Sequence, residues 1–158
     1  AGLVGYWVLI PFTLSLLWYK SHTDQGGLWI LFVCSLVWAA DTGAYFSGRK
    51  FGKHKLAKQV SPGKSWEGVF GGLLLAGLIG YGLAYGFEFN IPYEKLLILI
   101  AILVPLSVLG DLTESLFKRI HQLKDSGKIL PGHGGVLDRI DALLPVLPIS
   151  ILVFKQVI

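Results

Sequence analysis

The 158-residue chain is 53% hydrophobic and only 15% charged, carries a formal net charge of +4, and has a mean hydropathy of +0.63. An ordinary soluble domain holds roughly 25% charged residues, so this composition excludes a typical water-soluble globule and points to an integral membrane protein. A lone Cys34 offers no disulfide partner and no Cys pair for a metal, so it reads as a thiol in an apolar core.

Five apolar stretches follow one another, over residues 3–19, 28–46, 69–87, 96–109 and 143–158. Each approaches the roughly 20 residues that cross a bilayer core at about 1.5 Å per residue. The expectation is an all-α polytopic helical membrane protein of about five transmembrane helices. The fourth stretch is short unless it runs through Ser115, and the fifth contains Pro145 and Pro148. The sequence has no methionine and opens straight into an apolar run. These features lead us to expect one transmembrane catalytic domain over residues 1–158, belonging to the C-terminal part of a longer chain.

Charge suggests an orientation. Eleven of the fourteen Lys and Arg residues lie in two expected loops, at about 48–65 and 118–141. With five spans both loops fall on one face, which the positive-inside rule makes cytoplasmic. Topology and attraction to anionic headgroups would explain the charge, but not the residues that accompany it.

The acidic residues are more specific. Asp41 interrupts one apolar stretch, and Asp111 and Glu114 interrupt another, where a mid-bilayer carboxylate costs about 2.5 to 3.5 kcal/mol. Such residues must face a polar cavity or lie at helix ends. Asp111, Glu114, Ser115 and Lys118 share one helical face at i, i+3, i+4 and i+7. Asp138 and Asp141 repeat an i, i+3 spacing just after Gly134 and Gly135. Structural salt bridges are the plainer explanation. The surplus of hard oxygen donors favours Mg²⁺ in a site that also holds phosphates.

In the first basic loop, the run from Ser61 to Gly68 reads as a turn opening a helix, with Ser65 as N-cap and Glu67 in the first turn. Lys64, hydroxyls and amides there suit phosphate, although the sequence is no P-loop. Beyond it, Gly68, Gly72, Ala76, Gly80 and Ala84 form a small-residue stripe that permits close helix approach, within the chain or across a homodimer. The four His residues have no zinc-site spacing, and no aromatic and basic interleaving suggests nucleic acid.

The segment 115–141 then carries Ser115, Lys118, Arg119, Lys124, Asp125, Gly127, Pro131, His133, Gly134, Gly135, Asp138, Arg139 and Asp141. This run resembles the signature of the phosphatidate cytidylyltransferases, the CDP-diacylglycerol synthases. DTGAYFSGRKFGK from Asp41, SPGKSWEG from Ser61 and GDLTES from Gly110 resemble their other shared blocks, in order, over residues 41–141. The resemblance implies the reaction of CTP with phosphatidate to give CDP-diacylglycerol and diphosphate. It further implies Mg²⁺ held by Asp111 and Asp138, with Asp141 nearby and room for a second cation. Asp111, Lys118, Arg119, Lys124, Asp138, Arg139 and Asp141 would then serve catalysis, while Asp41, Ser61, Lys64, Ser65, Glu67, Ser115, Asp125, His133, Gly134 and Gly135 would bind substrates. The expected setting is a bacterial cytoplasmic (inner) membrane, with CTP, phosphatidate and membrane lipid as partners and the site facing the cytoplasm. The rival readings are a CTP-dependent polyprenol or phytol kinase, which would have to activate a hydroxyl, and a transporter.

Overall fold

A computed structural model describes residues 2–122, 135 and 137–157. Its elements in chain order are α1 (Gly2–His22), α2 (Gly26–Phe51), β1 (Lys55–Ala57), β2 (Ser61–Ser65), α3 (Trp66–Gly86), α4 (Tyr93–Ile120), α5 (Leu137–Ile140) and α6 (Leu143–Val157). The protein is therefore an all-α membrane protein carrying one small hairpin. Among the described residues, three helices, α2, α3 and α4, are long and apolar enough to cross a membrane. The count of five spans is not established by helix length, because α6 has 15 residues and reaches only about 22 Å.

The most extensive helix contact joins α2 to α3. It is built from the small-residue stripe: Gly68, Gly72, Ala76, Gly80 and Ala84 are all buried. A Cβ on Gly72 would lie 2.7 Å from the Ala40 carbonyl oxygen, so only glycine allows the two backbones this close. That face thus packs within the chain, the first of the two placements its spacing allows. The opposite side of α3 exposes Phe70, Leu74, Leu78, Tyr81 and Tyr85, as a lipid-facing surface should.

Around this pair, Phe32, Leu36, Leu99, Leu103 and Leu147 form a core to which α2, α4 and α6 contribute. Toward the other end of α2, Trp29 stacks on Phe89 at 3.7 Å and meets Phe154 edge-on at 4.0 Å. In α1, buried Tyr19 shares a 2.8 Å hydrogen bond with Ser150 of α6, so each hydroxyl is satisfied away from water.

Two sequence boundaries need correction. Residues 48–65 are not simply a loop, because α2 continues to Phe51 and the rest forms an antiparallel hairpin pairing Lys55 with Ser65 and Ala57 with Ser61. The span expected at 96–109 belongs to a 28-residue helix ending at Ile120, so the polar segment begins later than residue 118. Its polar extension is supported along one face, where Ser115 bonds Asp111 and Lys118 pairs with Glu114 at i, i+4. Lys118 and Arg119 in the last turn also suit the helix C-terminal dipole.

Candidate active site

Near the polar end of α4 lies a cavity of about 370 Å³. Asp41, with Val37 and Trp38 from the preceding turn of α2, forms one wall, while Asp111 and Lys118 of α4 form another. Asp138 and Arg139 of α5, and Asp141 at the entry to α6, complete the polar lining. Asp41 and Asp141, 100 positions apart in sequence, thus meet in one place. The closure depends on Gly110, whose added Cβ would lie 2.8 Å from both the Asp141 carbonyl oxygen and Pro145 Cγ. A glycine beside Asp111 lets α4 approach the backbone that carries Asp141.

Position along the helix explains how α4 tolerates this polarity. Asp111 stands 18 residues into the helix, about 27 Å along its axis, close to the edge of a hydrocarbon core roughly 30 Å thick. Lys118 lies two turns farther on, where its ammonium faces other polar groups.

The electrostatics are organised by two lysines. Lys118 Nζ donates to Asp138 Oδ1 at 2.8 Å and lies 3.3 Å from Glu114 Oε2. Side-chain exposures of 19% for Lys118, 12% for Asp138 and 10% for Glu114 mark a largely buried cluster. The contact with Glu114 is an ion pair without hydrogen-bond geometry, and neither Glu114 oxygen accepts a hydrogen bond among the described residues. Asp138 Oδ2 accepts from the Gly135 amide at 2.7 Å. Asp141 Oδ1 accepts from the Ala142 amide at 2.7 Å.

On the hairpin side, Lys64 Nζ lies 2.6 Å from Asp111 Oδ2 and also donates to the Val108 carbonyl at 3.2 Å. Ser115 Oγ donates to the other Asp111 oxygen at 3.3 Å. The structure therefore gathers Asp41, Asp111, Lys118, Asp138, Arg139 and Asp141 around the cavity, with Lys64, Ser115 and Gly135 bonded to its carboxylates. Ser65 is placed differently. It is buried and its Oγ accepts from the Gly68 amide at 3.1 Å, confirming the expected N-cap while turning its hydroxyl into the helix start. Glu67 binds His54 through the ring at 2.6 Å and the amide at 3.1 and 3.2 Å. Neither Ser61 nor exposed Arg119 lines the cavity. Lys124, Asp125, His133 and Gly134 lie outside the described residues.

Sequence reasoning left Glu114 out of the site proper and missed Val37 and Trp38. Helical spacing could have found Glu114, which shares the Asp111 and Lys118 face, whereas Val37 and Trp38 carry no polar signal of their own.

Four Asp carboxylates against the Lys118 and Arg139 cations give the cavity a surplus of hard oxygen donors. That chemistry fits a Mg²⁺ ion in kind. Among the described residues, however, no three acidic, His or Cys side chains converge as a finished metal cage. The donor set thus fits an ion that takes one or two carboxylates and fills its remaining positions from water and substrate phosphates.

The sequence profile of the cytidylyltransferase family matches residues 2–157. The chain is 48% identical over 155 residues to a phosphatidate cytidylyltransferase of Haemophilus influenzae, covering 92% of this chain and 54% of that protein. It is 49% identical over 159 residues to the protein of that name from Pseudomonas aeruginosa, covering 92% of this chain and 58% of the relative. With the Bacillus subtilis protein of that name the identity is 45% over 128 residues, 80% of this chain and 48% of the relative. The chain thus spans about half the length of the curated relatives it matches.

Proposed function

Because the chain belongs to the cytidylyltransferase family, we propose that it carries the catalytic part of an enzyme that joins phosphatidate to the cytidylyl group of CTP. The observation that supports this most is the cavity where Asp111, Asp138, Asp141, Lys118 and Arg139 meet at the polar end of α4. A phosphate oxygen of phosphatidate attacks the α-phosphorus of CTP. The bond from that phosphorus to the bridging oxygen breaks, and diphosphate leaves with the electron pair.

A phosphomonoester has a second pKa of about 6, so near neutral pH the nucleophile is already largely dianionic and needs no strong base. The difficulty is bringing two anions together. Lys118 and Arg139 place positive charge in the cavity, and Lys64 reaches its Asp111 edge, so phosphates entering there meet cations held by neighbouring groups. Asp111 and Asp138 would hold Mg²⁺, which supplies further neutralisation of the phosphates when bound. Asp41 and Asp141 complete the negative rim that favours a divalent ion over a bare anion. Lipid tails would stay in the bilayer, with the headgroup reaching the cavity from the interface.

Eleven of the fourteen basic residues flank this end of the molecule in sequence, which favours a cytoplasmic orientation in a bacterial inner membrane. Membrane-impermeant amine reagents should reach Lys58 from the cytoplasmic side only. Labelling of Lys58 from the opposite side would overturn that orientation.

The direct test supplies the full-length protein with phosphatidate and CTP labelled at the α-phosphate. Label appearing in CDP-lipid, with diphosphate released, is the expected result. Transfer of the γ-phosphate to a lipid alcohol, with CDP as co-product, would replace this reading by a lipid kinase.

A further inference from the structure

The hairpin carries a second hollow that shares no lining residue with the acidic cavity. It measures about 470 Å³ and is lined by Lys53, His54, Lys55, Lys58 and Trp66. Lys53, Lys55 and Lys58 are exposed, and among the described residues no carboxylate lies within ion-pair distance of any of them. The nearby acid, Glu67, is engaged by the ring and amide of His54. Three lysines therefore line one hollow with no counter-charge paired to them among the described residues, an arrangement that attracts an anion.

The position of the hollow says which kind of anion. The hairpin joins the end of α2 at Phe51 to the start of α3 at Trp66, two spanning helices packed side by side, so it lies at a membrane surface. Trp66 is 54% exposed and Phe51 58%, with Lys50 Nζ 5.3 Å above the Phe51 ring. Aromatic rings beside lysines at the ends of spans mark headgroup depth, with ring bodies toward the acyl boundary and ammonium groups toward phosphate. A simple inorganic anion would use the lysines but gain nothing from the exposed Trp66 ring.

We propose that this hollow docks the phosphate of an anionic phospholipid of the surrounding bilayer, with Lys53, Lys55 and Lys58 as its cationic contacts and Trp66 as its apolar wall. The site depends on membrane placement and not on the reaction assigned to the acidic cavity. It gives the hairpin two functions on separate side chains: Lys64 pairs with Asp111, and the lysines around β1 engage the bilayer.

Indole quenching in reconstituted full-length protein tests it. The vesicles are phosphatidylcholine with increasing dibromo-phosphatidylglycerol, a lipid that is not phosphatidate, and the share of signal lost in Trp66→Phe isolates Trp66. At about fivefold per basic residue near an anionic surface, the triple variant Lys53→Gln/Lys55→Gln/Lys58→Gln should need at least roughly tenfold more anionic lipid for half-maximal quenching. Removing equal charge by Lys20→Gln/Lys95→Gln/Lys155→Gln should leave that midpoint in place, and dibromo-phosphatidylcholine should quench Trp66 weakly. Equal quenching by both brominated lipids, unchanged in the hairpin variant, would reduce Trp66 to an ordinary lipid-facing ring and overturn the proposal. So would binding of inorganic tripolyphosphate in detergent without any anionic lipid, read as a fluorescence change that Trp66→Phe abolishes, because the hollow would then be a soluble-phosphate site. An unchanged melting temperature in the hairpin variant keeps a shifted midpoint from being read as unfolding.

Discussion

Lys64 and Lys55 stand nine residues apart on one hairpin, yet they meet opposite fates. Lys64 is 22% exposed, pairs with Asp111 and donates to a helix carbonyl, whereas Lys55 is exposed and lines a hollow with two other lysines. In sequence both belong to one basic run. The structure separates a charge that balances a carboxylate at the cavity from charges that remain available to the surroundings. Charge density in a loop therefore does not say what a lysine serves; whether an opposite charge lies within bonding reach separates the two roles.

The strongest way to break this comparison is to remove the carboxylates around which the cavity is organised. In the full-length protein, Asp111→Asn or Asp138→Asn keeps the side-chain shape but deletes a charge, so CDP-lipid formation should fall roughly 100-fold or more. Mg²⁺ affinity, measured by titration calorimetry, should fall with it while helical circular dichroism is unchanged. Near-normal turnover in both variants would mean that the cavity is structural.

The lysines themselves come next. Lys64→Gln leaves Asp111 without its ammonium partner, so turnover should fall roughly tenfold to 100-fold. Stability should fall by only about 1 kcal/mol, because the Asp111 side chain stays 35% exposed and water can compensate it in part. Lys55→Gln should change turnover by less than about twofold in detergent with saturating substrate, consistent with small effects of solvated charges. Equal losses at both positions would erase the distinction between them.

A smaller effect is expected from packing. Gly110→Ala inserts a methyl where the Asp141 carbonyl and Pro145 already sit 2.8 Å from the new carbon. Overpacking of this kind costs about 1–3 kcal/mol, and the shift it forces between α4 and Asp141 should lower turnover roughly tenfold. A thermal melt and a rate measurement on the same preparation check both parts.

The parts of the site that could be read from sequence are those where polarity is costly. Asp41, Asp111 and Lys118 stand out because charged groups in apolar helices require a cavity, and the cavity contains all three. The small-residue stripe of α3 was equally legible, but its spacing alone could not say whether α2 or another chain covered it. Val37 and Trp38 look like any other apolar residues until the fold places them beside Asp41. The hairpin was hidden for a different reason. Its second strand, SPGKS, contains Pro and Gly, which disfavour strands, and the pairing forms where Trp66 N bonds the His54 carbonyl and Glu67 clamps His54. Those are tertiary contacts without a periodic signal. The length of α4 was obscured similarly, since its polar end looks like a loop unless the i, i+4 pairings are counted along a helix.

Ser65 provides the finest discrimination, because sequence gives it two roles and geometry supports one of them. It was expected both to cap a helix and to contact substrate. Its Oγ accepts from the Gly68 amide at 3.1 Å, the residue is only 3% exposed, and it does not line the acidic cavity. Ser65→Ala should therefore lower stability by about 1 kcal/mol, the usual cost of losing an N-cap hydroxyl. Ser65→Asp restores an acceptor but adds bulk and charge in a buried position, making Ser65→Thr the better rescue: it keeps the hydroxyl and should recover most of the loss. Below the melting transition, the KM for CTP of the Ala variant should stay within about twofold of the parent, since uniform binding energy is lost only when a substrate contact is removed. A tenfold rise in that KM with an unchanged melting temperature would show that the hydroxyl serves the nucleotide and that the cap is incidental.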